Sequence, residues 1–485
     1  MKRFLAAVLC LGLVAAALAL PASAAAPKPC ACGEVLHVWV DGFGSPLYYD
    51  EGTPQERQAG QADTGNLLRD LPGVFLGAAK TLFTLRWEPL AEGLSDLFLG
   101  ITGHWQLDEH GNSVQPLSSH WKIDPTQDHT TQPQYNFRYD FRIDPFIAAA
   151  QLNEFIEALC KRTGHGKIAL TGNSQGTATV MAYLKEYGSK RLQTLVLING
   201  AWQGLTLVGQ LFTKQFLITG PAVTSFIANG DDGSGLLIAG MEVLRTSGLL
   251  DCAPFLSRAV MRALGPTVFE RALLPLFGQM PAMWTFVPDE YYKDAVRALL
   301  GNDPKYDELK ACIDKYHYEV MTQSPALIRK AMQDGVKVAV IASYGKAPIP
   351  VTPDSLYQSD SLIDSAREAA WATYAPLGQA LPPSDSKYRS PDGVFDAATC
   401  LLPDQTWFIK YNDHSAGAAE DLIQWIIHSK KQPTVWQNPA FPQYLQRTPE
   451  NKAIPLGEQP PPSPPKTFFE ASRAFAQALW GQVFR

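Results

Sequence analysis

A serine between two glycines, Gly172-Asn173-Ser174-Gln175-Gly176, is the residue set in this chain best suited to covalent chemistry. An apolar run, Ile168 to Leu170, leads into it. Val180, Met181, Leu184 and Tyr187 follow at spacings that share one helix face, and Gly188 closes the segment. The pattern predicts strand, sharp turn and helix with a serine at the turn, a nucleophile elbow. Side chains at 172 or 176 would collide with neighbouring strand and helix, hence the glycines. The helix N-terminus aims unpaired N–H groups at the reaction centre, where negative charge develops. A serine nucleophile needs a base. His414 fits, because it directly follows the late β-run Gln405 to Tyr411. The base needs an orienting acid. Asp360 precedes Leu362-Ile363 in a D-x-x-I arrangement and leads, with Asp364 and Asp354 as competitors. Asp413 is a poor candidate, since a sequence neighbour of His414 rarely reaches across the ring to Nδ1. Two backbone donors complete the set: the Phe43 N–H, in the glycine-punctuated loop Asp41-Gly42-Phe43-Gly44 after an early strand, and the N–H of Gln175. The chemistry is two-step acyl transfer through an acyl-enzyme, and it calls for no metal and no organic cofactor.

The elements that must hold these residues are buried parallel strands. Val35–Val40, Leu192–Ile198 and Val336–Ser343 are nearly continuous apolar runs, as strands covered on both faces should be. The order serine, acid, histidine, with the last two after late strands, predicts an α/β-hydrolase fold with a mostly parallel central sheet. Residues 25–204 form the first part of that core. It includes a dense apolar stretch at 67–101, read as a helix pair with a surface that could touch lipid. Residues 205–330 carry no obvious strand and are rich in Leu, Phe and Met, with a Gly/Asp turn at 230–235. They read as a helical cap over the site. Residues 331–430 complete the core. Residues 431–485 read as a Pro-rich linker, with Gln459 to Pro465 in extended polyproline form and an amphipathic helix from Phe468 to Phe484.

The chain has 485 residues, 46% hydrophobic and 18% charged, with a net charge of −6. That mild acidity gives no footprint for nucleic acid. Lys2-Arg3, an apolar run from Phe4 to Leu20, and Ala22-Ser23-Ala24 read as a cleaved secretory signal over residues 1–24, which makes the protein extracytoplasmic. Cys10 leaves with it. Cys30, Cys32, Cys160, Cys252, Cys312 and Cys400 remain. Disulfides are allowed in an exported chain, with Cys252 and Cys312 as the pair closest to hand, and free buried thiols are the alternative. Cys30-x-Cys32 lacks a partner pair or a suitably spaced histidine, so the spacing predicts no zinc pattern there and residues 25–33 read as a short linker. His104, His110, His120 and His129 read as loop histidines.

With these residues in place, the chain resembles the lecithin:cholesterol acyltransferase family, which includes lysosomal-type phospholipase A2. Val40-Asp41-Gly42-Phe43-Gly44-Ser45-Pro46-Leu47 is similar to its first oxyanion loop, with Asp41 where proline is usual. Tyr139-Asp140-Phe141-Arg142 is similar to its Y-D-W-R, with Phe141 for tryptophan. Gly200-Ala201-Trp202-Gln203-Gly204 resembles its A-P-W-x-G segment, and Met280-Pro281-Ala282-Met283-Trp284 with Val287-Pro288 a piece of its cap. Residues 50–130 match poorly and lack the family's short disulfide loop. The resemblance implies a phospholipase or acylglycerol lipase with possible transfer to another alcohol, working at a lipid surface through peripheral contact. A soluble carboxylesterase of the same fold, and a silent hydrolase-fold protein that binds lipid or a partner, are the rival readings.

Overall fold

A computed structural model describes residues 29–59, 65–84, 86–228, 243, 247, 251, 253–414 and 417–457. The signal segment, the 230–235 turn, Cys252, the polyproline stretch and the C-terminal helix expected from sequence lie outside the described residues.

The core is one eight-stranded sheet: β1 (His37–Val40), β2 (Gln134–Phe137), β3 (Ile168–Asn173), β4 (Leu192–Ile198), β5 (Lys337–Tyr344), β6 (Thr406–Lys410), β7 (Tyr444–Arg447) and β8 (Ala453–Pro455). Their spatial order is β8-β7-β6-β5-β4-β3-β1-β2. All pairings are parallel except β7 with β8. Alternation along the strands sorts side chains onto two faces. Ala169, Val196, Ile198, Ala339 and Ile341 pack with Leu422, Ile423, Ile426 and Ile427, while Leu170, Leu195, Leu197, Val338 and Val340 join the opposite layer. Each fully buried aliphatic side chain contributes about 1.5–3 kcal/mol.

Helix α1 (Pro145–Thr163) joins β2 to β3, and α2 (Gly176–Tyr187) joins β3 to β4. Asp144 caps α1 by accepting the Phe146 N–H at 2.8 Å, Pro145 opens it, and Gly164 ends it at a φ of 76°. Leu152, Phe155, Ile156 and Leu159 give α1 its buried stripe. Helix α3 (Glu420–His428) covers the other face. The chain departs from β1 towards β2 in one direction and from β3 towards β4 in the other. The carboxyl ends of β1 and β3 therefore border a topological switch point, where open α/β sheets bind ligands.

The 67–101 stretch forms two helices, Gly65–Thr84 and Glu88–Thr102. They cross closely: a Cβ on Gly77 would lie 2.4 Å from the Pro89 carbonyl oxygen. Between β4 and β5 every regular element among the described residues is helical.

Two expectations need correction. The sheet does not stop near residue 430, because β7 and β8 extend its edge within the stretch read as linker. These strands are short and one is polar, so they carry no continuous apolar run. Residues 30–32 are not a loose linker either. The Cys30 N–H donates to the Gly164 carbonyl at 3.0 Å. The Cys30 and Cys32 sulfurs meet His129 Nε2 at 3.4 Å and His165 Nε2 at 3.5 Å. The histidine partners that sequence spacing hid come from loops 99 and 133 residues away. Cys312 stands as a free thiol, and so do Cys160 and Cys400.

Candidate active site

The turn after β3 holds Ser174 at a φ of 53°, a conformation that costs a non-glycine residue about 1–3 kcal/mol. Its surroundings fix it there. The Ser174 N–H donates to the Ile198 carbonyl at 3.2 Å. The Ser174 carbonyl accepts from the Ala201 N–H at 3.2 Å and the Thr177 hydroxyl at 2.6 Å. The turn sits directly on the end of β1: a Cβ on Gly176 would lie 2.2 Å from the Val40 carbonyl oxygen. Glycine at 176 is a steric requirement of that approach.

The structure brings Ser174, His414 and Asp360 together. His414 Nε2 lies 2.7 Å from Ser174 Oγ, and Nδ1 lies 2.5 Å from Asp360 Oδ2. In the tautomer this arrangement favours, the serine hydroxyl donates to Nε2 while Nδ1–H donates to the carboxylate. Asp360 is fully buried, and its Oδ1 accepts the Leu362 and Ile363 N–H groups at 2.9 and 2.7 Å. The D-x-x-I spacing thus has a physical basis: the carboxylate is held by the turn that follows it. Asp364 points elsewhere and accepts the Thr206 N–H at 2.9 Å. Asp354 accepts from Gln210 at 2.6 Å, and Asp413 pairs with Arg447. Burial disfavours the His414 imidazolium, but the charge of Asp360 and its hydrogen bond outweigh that, so the pKa lies above the ordinary histidine value.

The loop after β1 lies against Ser174. A Cβ on Gly42 would be 2.5 Å from Ser174 Cβ, 2.8 Å from Ser174 Oγ and 3.0 Å from the Gln175 nitrogen. This places Gly42, and so the start of the Gly42–Phe43 peptide, beside both Ser174 Oγ and the Gln175 nitrogen. Neither the Phe43 nor the Gln175 N–H donates to another group among the described residues. The Phe43 ring anchors the loop among Phe141, Trp105 and Phe286, with centroids at 4.7, 5.7 and 6.4 Å. The Gln175 side chain donates to the Phe141 carbonyl at 2.8 Å, and the Tyr139 hydroxyl to the Asp41 carbonyl at 2.9 Å. Asp140 takes two bonds from the buried guanidinium of Arg142, at 2.9 and 2.7 Å. The segments 139–142 and 280–286, singled out by resemblance, meet at this loop.

Behind Ser174, His414 and Asp360 lie polar groups that sequence reasoning missed. Ser343 Oγ donates to Asn199 Oδ1 at 2.7 Å and accepts from Asn412 Nδ2 at 2.8 Å, while Asn199 Nδ2 donates to the Asp413 carbonyl at 3.2 Å. This network ties the ends of β4, β5 and β6 to the loop bearing His414. Glu368, fully buried, accepts the Ser343 N–H at 2.7 Å. Burial first, then the charge of neighbouring Asp360, pushes its carboxyl well above the usual carboxylate range. Its Oε1 is buried without a hydrogen-bond partner among the described residues. These residues occupy no motif; Asn199 and Asn412 share only their place just past strand ends, Ser343 lies within β5 and Glu368 in the short helix Ser365–Glu368.

Comparison with known proteins agrees with this architecture. The family described as alpha/beta hydrolase fold matches residues 120–216, which contain β2, β3, β4 and Ser174. The chain has that fold. No curated protein matches it. Among solved structures, the Tle4-Tli4 complex is similar at 10% identity, covering 92% of this chain and 98% of that one with a TM-score of 0.25. An esterase from Thermogutta terrifontis is similar at 14% identity, covering 47% of this chain and 98% of that one with a TM-score of 0.15.

Proposed function

We propose that this chain is an exported serine acyl hydrolase acting on lipid esters, phospholipid or acylglycerol, through Ser174, His414 and Asp360. The observation that carries the reading is the unbroken chain of contacts from Ser174 Oγ through His414 to Asp360, with two unengaged N–H groups beside the serine. His414 takes the hydroxyl proton as Oγ attacks the ester carbonyl. The Phe43 and Gln175 N–H groups hold the oxyanion. The imidazolium, steadied by Asp360, then protonates the departing alcohol. Water, activated by the same histidine, releases the acid. An alcohol acceptor in place of water gives acyl transfer by the same steps.

The lipid part of the reading rests on exposed apolar side chains in the helices above the sheet. Phe75 is 71% exposed and Phe255 73%, and Leu76, Leu256 and Val260 accompany them. Such side chains suit peripheral contact with an interface. No helix among the described residues is long and apolar enough to cross a membrane. The test compares long-chain esters in liposomes with short soluble esters, using wild type and the Phe75→Ser/Leu76→Ser/Phe255→Ser variant. The proposal expects preference for the liposomes and a loss in the variant confined to them. Activity on short soluble esters alone, or equal loss on both, would overturn the lipid assignment and leave a soluble carboxylesterase.

A further inference from the structure

We propose that Cys30, Cys32, His129 and His165 form a structural zinc site at the edge of the sheet opposite the catalytic serine. Cys30 Sγ lies 3.4 Å from His129 Nε2, and Cys32 Sγ lies 3.5 Å from His165 Nε2. The ligand atoms of Cys30, Cys32 and His165 all fall within 4.8 Å of one another, whereas His129 Nε2 touches Cys30 but lies outside that mutual distance, so it must move inward to complete the set, and His165 Nε2 must give up its 3.3 Å contact with the Glu34 carbonyl. The His129 and His165 rings stand edge to face, with centroids 5.4 Å apart. Tetrahedral zinc with Zn–S near 2.3 Å and Zn–N near 2.05 Å sets each sulfur about 3.6 Å from each nitrogen. The two observed sulfur–nitrogen separations are close to that edge length. Two thiols and two imidazoles are a complete set for a closed, four-coordinate site, which leaves no position for substrate or water. All four residues are partly exposed, so an ion can enter from solvent.

The topology says what such an ion does. Cys30 and Cys32 lie just before β1, His129 just before β2, and His165 just before β3. These strands are adjacent and parallel, so the four residues share the amino-terminal edge of the sheet. Ser174 and the Phe43 loop sit at the other edge. Zinc here clips together the three segments that feed the strands bordering the switch point. It takes no part in acyl transfer. The 124–127 segment is already held near this place by Arg162, which donates to the carbonyls of Asp124 and Pro125 at 2.7 Å each. Binding deprotonates both thiols and withholds them from oxidation. This conclusion is independent of the hydrolase reading.

The test is metal analysis of the purified full chain, followed by replacement of zinc with cobalt(II). The expected result is one zinc per chain, a lower Tm after removal by chelator, and recovery of Tm on adding zinc. Cobalt is expected to give the intense thiolate-to-metal charge-transfer band and the visible bands of a tetrahedral centre. Cys32→Ser should remove the charge-transfer intensity contributed by that thiolate, and Cys30→Ser/Cys32→Ser should abolish stoichiometric zinc. Cys400→Ser, packed with Tyr344, Phe395 and Phe408 away from the cluster, should retain it. The wild-type cobalt spectrum carries the test even if a variant does not fold. The proposal is overturned by a Cys30–Cys32 disulfide in the purified protein, by less than stoichiometric zinc with both thiols reduced, or by zinc that persists in the double variant.

Discussion

Replacing Gly42 with alanine tests how closely the 41–44 loop sits against Ser174, without changing the Ser174, His414 or Asp360 side chains. The new methyl carbon would fall 2.5 Å from Ser174 Cβ and 2.8 Å from Ser174 Oγ. Carbon atoms in contact ordinarily rest at about 3.5–4.0 Å, so the loop and the elbow must separate by about 1 Å. The elbow is held by bonds to Ile198 and Ala201, and the loop by the aromatic cluster around Phe43, so neither side yields freely. A misplacement of about 1 Å in a reacting constellation costs on the order of 10²-fold in rate. Overpacking costs about 1–3 kcal/mol, which a core of this size should survive. The assay is kcat/KM on a soluble p-nitrophenyl ester, with circular dichroism and Tm to verify folding. Gly457→Ala is the control, since a Cβ there meets nothing within 4 Å. A folded Gly42→Ala protein with kcat/KM within threefold of wild type would refute the placement of this loop against the nucleophile.

Other predictions follow from the charges. His414 must be neutral to accept the serine proton, and its pKa is raised, so kcat/KM should climb with pH through a value above the ordinary 6.5. In Asp360→Asn the raising charge is gone while burial remains, so the residual activity should show that limb at lower pH; an unmoved limb would contradict the assignment. Glu368→Gln should keep activity within a few-fold, because a carboxamide oxygen still accepts the Ser343 N–H and adds no charge beside Asp360, whereas Glu368→Ala should destabilise the fold by removing the acceptor of the buried Ser343 N–H. Chemical denaturation of both variants decides. Buried His37, bonded to Thr171 at 2.8 Å, has its pKa lowered by burial from 6.5 to about 4. Between those values the unfolded chain binds a proton that the native state refuses, so this residue should subtract stability as pH falls from 6.5 to 4, by about 3 kcal/mol in all. His37→Gln should flatten that part of the stability–pH curve.

What was legible in the sequence was what is local. The elbow could be read because strand, turn and helix lie within twenty residues and because glycine at 172 and 176 answers a steric demand set there. Asp360 leads Asp364 in the sequence on its D-x-x-I arrangement, and the amides that hold its carboxylate are those same neighbours, Leu362 and Ile363. The choice still depended on tertiary contact: Asp364 has the same chemistry but faces Thr206. Glu368 was invisible because its place, buried beside another carboxylate, is set by tertiary contact. The Cys30–Cys32 cluster was invisible because its histidines arrive from two other strand-entry loops. Strands β7 and β8 were missed because an edge strand of three or four residues needs no apolar run to pair.

The most direct test of the account is labelling by a fluorophosphonate probe, with and without liposomes. The account predicts that wild type labels once, that Ser174→Ala does not, that His414→Ala and Asp360→Asn label far more slowly, and that Asp364→Asn labels like wild type. Labelling that persists in Ser174→Ala, or folded wild type that stays unlabelled under both conditions, would contradict it.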